Sequence, residues 1–293
     1  MSRFRHFAAI DWSGAAGERH KGIAVALCDA GGGAPRLARP GHRWSRQDVL
    51  DWLLDDMPAD TLVGLDLGVS LPFADCGAFF PGWTGSPPHA KALWALVDAT
   101  CGDDPHLAVS SFVDHDEASR YFRRHGGREG AQFHHRDAAD RRGRFRVTER
   151  EQARMGCKPY SNFNLVGAAQ VGKSSLSGMR VLHRLAGCLP VWPIDPLPPQ
   201  GSVVVEIYTT IAAIAAGRTA SQSKMRSFEA LNHALGKLGS RKVAGAGPLD
   251  DHSADALLTA AWLRTAADRR ELWHPQRMTL AIARTEGWTF GAA

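Results

Sequence analysis

Three short apolar runs in this chain of 293 residues each end in a carboxylate, and this pattern constrains the fold most. Residues 7–10 (Phe-Ala-Ala-Ile) run into Asp11, residues 61–65 (Thr-Leu-Val-Gly-Leu) into Asp66, and the valines 203–205 into Glu206. Runs this short, apolar without alternation and closed by polar or turn residues, read as strands buried on both faces. Such strands need helices on both sides, so the predicted class is α/β, a mixed sheet flanked by helices. In sheets of that class the strand C-termini converge on one edge, which lets acids far apart in sequence meet.

Between these runs, residues 22–28 read as a second strand and 36–44 as a third, interrupted by Pro40 and Gly41. Ser45 with Asp48 three residues on has the form of a capping box, followed by Val49, Leu50, Leu53 and Leu54 at helical spacing up to Met57 and Pro58. The order is three strands in an antiparallel meander, a helix, then a fourth strand. From 72 to 201 the alternation stops and Pro, Gly, His and Arg dominate, with short helical patterns at 89–100, 117–124 and 175–186. This stretch is too long for a loop. It predicts a basic cap inserted between the fourth and fifth strands, leaving residues 1–71 and 202–293 as the core. Beyond it come the strand 203–207, a small-residue helix from Thr210, a helix through Phe228, Leu231, Leu235 and Leu238, and a helix over 251–266.

The last helix carries Asp251, His252 and Asp255 in its first turn, and spacings of three and four put them on one face. Asp11, Asp66, Glu206 and Asp255 are thus predicted to converge. Four carboxylates repel unless a cation lies among them, and hard ions such as Mg2+ or Mn2+ suit all-oxygen donors. A single strand-end or helix-start Asp is as readily a cap; the matched placement of four favours chemistry. Glu206, beside an apolar run, requires a partner or a metal.

Charge adds a second theme. The formal charge is +5, but residues 120–158 hold twelve Lys or Arg against five Asp or Glu, a local +7 that leaves the remainder at −2. The stretch is either a solvated surface or a phosphate-tracking one, and Arg144, Arg146, Lys158 and Lys173 are candidates for gripping phosphates. The sequence lacks an apolar run of the roughly 20 residues that span a bilayer, and residues 1–14 lack an export signal. The five scattered cysteines fit reduced thiols, so the expectation is a cytoplasmic protein with no membrane partner.

The strings AAIDWSG, LVGLDLG and DDHSADALLTAAW, in this strand order, resemble the ribonuclease H-like superfamily, and the last is similar to the HxxDAL helix of Holliday-junction resolvases. VVVEIYTT, GKSSLSGMRVLHRL and the final EGWTFG resemble more closely the "domain of unknown function 429" family of predicted nucleases. The resemblance implies a ribonuclease H-like fold and metal-dependent phosphodiester hydrolysis of nucleic acid, DNA or RNA. It implies that Asp11 serves both metals, Asp66 is the second-strand ligand, and Asp255 with His252 or Asp251 supplies the helix ligands. Glu206 departs from the simplest resolvase pattern.

Other readings stay open. Residues 167–174, GAAQVGKS, match the phosphate-loop pattern, but the preceding YSNFNLV is a poor strand, which favours a helix start with Lys173 near a phosphate. DWSG and DLGVS also resemble the phosphate motifs of actin-like and sugar-kinase ATP-dependent phosphotransferases, which duplicate their core where this chain shows one strand set. A third reading is a nucleic-acid-binding module without chemistry. His115, His134 and His135 read as surface residues rather than ligands, and Trp12 as either a base-stacking or a packing residue.

Overall fold

A computed structural model describes residues 3–124, 126, 128–135, 142–167 and 171–293. In chain order the elements are β1 (His6–Asp11), β2 (Ala24–Asp29), β3 (Arg36–Leu37), α1 (Arg46–Asp51), β4 (Thr61–Asp66), α2 (Ala90–Thr100), α3 (Ser110–Val113), α4 (Val147–Arg154) and α5 (Val171–Arg184). There follow β5 (Val191–Trp192), β6 (Val203–Glu206), α6 (Thr209–Ala215), α7 (Phe228–Lys237), α8 (Asp251–Ala266), α9 (Arg270–Trp273) and α10 (Leu280–Thr285). The strands form one mixed sheet in the order β3-β2-β1-β4-β6-β5, with β1–β2 and β2–β3 antiparallel and the other pairs parallel.

The sheet is buried on both faces, as the unbroken apolar runs require. Side chains alternate between faces along a strand. Ala8, Ile10, Val63, Leu65 and Val204 face the layer that includes Leu93 and Trp94 of α2 and Leu176 and Met179 of α5. Phe7, Ala9, Ala24, Ala26, Leu62, Val203 and Val205 face Ala254, Leu257, Leu258 and Ala261 of α8 and the residues of α6 and α7. The α8 side is built of small residues on both partners, so this helix comes close to the sheet.

Ser45 and Asp48 form the capping box expected of them, and the helix passes into a wider turn at Trp52–Asp56 before Met57. The third strand is shorter than expected, two residues, because the chain turns away ahead of Pro40 and Gly41. The segment 117–124 gives only the tight turn Ala118–Tyr121, and α4 and β5 were not anticipated. Nor does the 72–201 segment stand apart as a cap. Its α2 and α5 share one hydrophobic cluster with β1 and β4, and its β5 extends the sheet beside β6. The segment is the second helical layer of the sheet.

Candidate functional site

Asp11 and Asp66 are register partners on the parallel strands β1 and β4, so their carboxylates leave the same face of the sheet side by side. That face is the one covered by α8. The helix begins at the cap Asp250, whose side chain accepts from the Ser253 amide at 2.8 Å, and its first turns present His252 and Asp255. Nδ1 of His252 lies 3.0 Å from Oδ2 of Asp11, and this contact raises the imidazole pKa. Asp11 and Asp255 are buried, at 5% and 4% exposure.

Burial pushes Asp255 up to about 6, with Lys224 opposing and Asp11 adding to the rise. Asp66 is half-buried at its strand end. The surrounding protein, then Asp11 and Asp255, raise its pKa well above the usual carboxylate range. Thr209 Oγ1 donates to Asp66 at 3.4 Å. The one ammonium bonded into this acid group among the described residues is that of Lys224, which donates to Asp255. Burial opposes its charge, but Asp255, Asp11 and Asp66 together raise its pKa. Lys224 and Thr209 were not anticipated: Lys224 lies in SQSKMRS, a polar stretch with no periodicity, and Thr209 in a run read as a helix start.

Asp251 stands at the rim, 3.9 Å from the exposed Arg226. Among the described residues no three His, Cys, Asp or Glu side chains stand in ready-made ligating geometry. The donor set nevertheless fits a hard divalent cation. It is made of carboxylate oxygens, and two of the acids carry raised pKa values even with an ammonium beside them.

Glu206 does not belong to this group. Its register partner is Leu65, one residue before Asp66, so it projects from the opposite face. There it accepts from Arg146 at 2.6 and 2.7 Å, from the Val69 amide at 2.8 Å and from the Thr289 hydroxyl. The expectation that Glu206 is catalytic is corrected on that ground.

Arg144 and Arg146 are also corrected. Both are 1% exposed. Arg144 is held by Asp75 and by the carbonyls of Pro72, Ala78 and Phe79, and Arg146 by Glu149 and Glu206. They are internal ion pairs, unable to reach a substrate phosphate. Much of the remaining basic stretch is spent on neighbouring acids: Arg120 on Glu117, Arg123 on Glu129, Arg124 on Asp114 and Arg154 on Glu151.

Lys158 is exposed, next to Cys157, which lies in the same apolar cluster as Ala254 and Ala256 of α8. Lys173 is half-buried in the first turn of α5, against the loop that follows β1: a Cβ on Gly14 would lie 2.8 Å from Lys173 Cβ and 2.5 Å from the Ser174 amide nitrogen. Of the phosphate-loop pattern, residues 168–170 lie outside the described residues. The segment before them, 161–167, is turns and a single bridge rather than a strand. Trp12 is a core residue, 6% exposed with its indole N–H donating to Ser177 Oγ at 3.1 Å, so it does not present a stacking face. His134 bonds Glu129 and His115 accepts from the Glu117 amide, while His135 Nδ1 lies 3.5 Å from Cys76 Sγ.

Fold and site together define an α/β protein with a mixed sheet and, at the C-terminal edge of its two central parallel strands, a buried acid cluster completed by one helix. No family model, no curated protein and no solved structure matches the chain.

Proposed function

We propose that this protein is a Mg2+- or Mn2+-dependent phosphodiester hydrolase of ribonuclease H-like type, acting on nucleic acid, DNA or RNA. The observation that carries the reading is the pairing of Asp11 with Asp66 across β1 and β4, with His252 and Asp255 brought to the same face by α8. A meander of antiparallel strands continued by parallel ones, in the order β3-β2-β1-β4-β6, supports the resemblance drawn from the acidic motifs.

In this reading Asp11, Asp66 and Asp255 hold the metal, and Asp251 contributes from the rim. When bound, such an ion supplies an activated water and charge stabilisation for the leaving oxygen. His252, oriented by Asp11 through Nδ1, is placed to hold or pass a proton at its other ring nitrogen. Lys224 holds the acids together until a cation replaces it and then offers its ammonium to a phosphate. Lys158 and Lys173 remain the accessible cations among those the sequence singled out. The five cysteines stand outside disulfides, three of them buried, which favours a reducing, cytoplasmic setting. Among the described residues no helix is long and apolar enough to cross a membrane.

An actin-like phosphotransferase needs a second copy of the core, and the described residues form one sheet. A binding module without chemistry needs neither the acid pair nor its histidine. The test is cleavage of labelled single strands, duplexes, hybrids and four-way junctions in Mg2+, Mn2+ or chelator, with ATP hydrolysis run alongside. Metal-dependent cutting that is lost in Asp11→Asn is expected. Intact nucleic acid with Asp11-dependent ATP turnover overturns the reading in favour of the phosphotransferase.

A further inference from the structure

A cavity of about 250 Å3 lies on the other side of the β1–β2 loop from the acid cluster. Its walls are Gly14 and its neighbours in that loop, the segment around Val109 and Val113, and Leu165 with the first turns of α5. Its lining holds four cationic residues, Arg46, Arg124, Arg128 and Lys173, against one acid, Asp114. Arg124 reaches the cavity but is neutralised by Asp114 at 2.9 Å. Arg46 and Lys173 also line it, and among the described residues neither meets a carboxylate within ion-pair distance.

Arg46 is the informative one. It is 2% exposed, and its four hydrogen bonds go to backbone carbonyls: two to Ser13, one to Ala15 and one to His106, at 2.6–3.2 Å. A guanidinium carries five N–H donors, so one on Nη1 is left over. Burial, with Arg180 nearby, pulls Arg46 down to about 10. Buried charges in folded proteins are normally paired. Among the described residues no carboxylate pairs with Arg46, and the cation sits at a cavity wall, with a lysine in the same wall.

We propose that this cavity is an anion subsite that takes the phosphate monoester of a nucleotide. The phosphate lies toward Lys173 and Arg46, and a face of the nucleoside rests against Val109, Val113 and Leu165. The cavity volume suits one small ligand rather than a length of duplex. Gly14 keeps the floor thin, because any side chain there collides with the backbone of Lys173 and Ser174. The same chemistry is offered by a free nucleotide and by a phosphorylated strand end. This inference does not rest on the hydrolase reading, since no acid of the cluster lines the cavity.

The test is equilibrium binding of inorganic phosphate, adenosine 5′-monophosphate and adenosine to the full chain in chelator. A second arm compares a short oligonucleotide with a 5′-phosphate and the same strand with a 5′-hydroxyl. Adenosine 5′-monophosphate should bind at least about tenfold more tightly than adenosine, a charge-assisted contact being the difference. Lys173→Gln should remove that preference, Lys173→Arg should keep most of it, and Asp11→Asn should leave it unchanged. Preference for the 5′-phosphorylated strand identifies a strand end as the source; indifference there, with the mononucleotide bound, identifies the free nucleotide. Equal binding of adenosine and its monophosphate, or a preference that survives Lys173→Gln, overturns the proposal.

Discussion

Asp11 and Asp66 sit opposite one another in the parallel β1–β4 ladder, so two carboxylates are forced side by side on a buried face of the sheet. Neighbouring strands are roughly 4.8 Å apart, close enough in a low-dielectric setting for each charge to oppose the other. The metal-free fold therefore carries this pair at a cost, and the site's properties follow from how that cost is relieved.

Neutralising one member should stabilise the metal-free protein. Asp66→Asn removes a carboxylate whose pKa is raised by burial and by Asp11. In chelator at neutral pH its Tm should rise, by about 2–4 °C for each kcal/mol relieved. Calorimetry showing a lower Tm would mean that Asp66 is a structural acid.

The pH dependence has a definite sign. Asp255 loses its proton at the ordinary carboxylate pKa when unfolded and at about 6 when folded, and Asp66 is shifted in the same direction. Between those values the folded state binds more protons, so the contribution is full below the ordinary pKa and lost as pH rises through about 6. Metal-free stability should fall over that window, and Asp255→Asn should flatten the slope. Added Mn2+ should release protons there, as pH-stat titration can record.

His252 reports on Asp11. The imidazole pKa is raised first by its hydrogen bond to Asp11. NMR titration should place His252 above an ordinary histidine, and Asp11→Asn should bring it down. No change in that variant would show the contact to be incidental.

Lys224 is predicted to compete with the metal for Asp255. In Lys224→Met the acids lose their ammonium, so the chelated protein should melt lower while the Tm increase on adding Mn2+ becomes larger than in wild type. An unchanged increase would show that Lys224 does not occupy cation space.

Glu206 and Arg146 should behave as structural residues. Breaking a buried pair from one side costs about 3–5 kcal/mol, so Glu206→Ala and Arg146→Ala should both unfold at markedly lower denaturant. Asp11→Asn should not. A stable Glu206→Ala that lacked activity would restore Glu206 to the catalytic set.

The contrast between Asp66 and Glu206 shows what the sequence makes legible. β1, β4, β6 and α8 follow from apolar runs and helical spacing, and the acids at their ends follow with them. The face each acid takes depends on register with a strand far away, and a slip of one residue reverses it. Glu206 pairs with Leu65 rather than Asp66, which no local pattern in VVVE reveals. Arg144 and Arg146 fail for a related reason: charge is visible in sequence, but Asp75 and Glu206, 69 and 60 residues away, are not visible as partners. Only Glu149, three residues past Arg146, offered a local hint. β5 is two residues long in a Pro-rich stretch, too short for any periodicity.

The most direct test of the acid cluster as a cation site is calorimetric titration of Mn2+ into wild type, Asp11→Asn and Glu206→Gln. The account predicts saturable binding by wild type, loss of about 10–100-fold or more in Asp11→Asn, and near wild-type affinity in folded Glu206→Gln. Equal affinity in wild type and Asp11→Asn would contradict it.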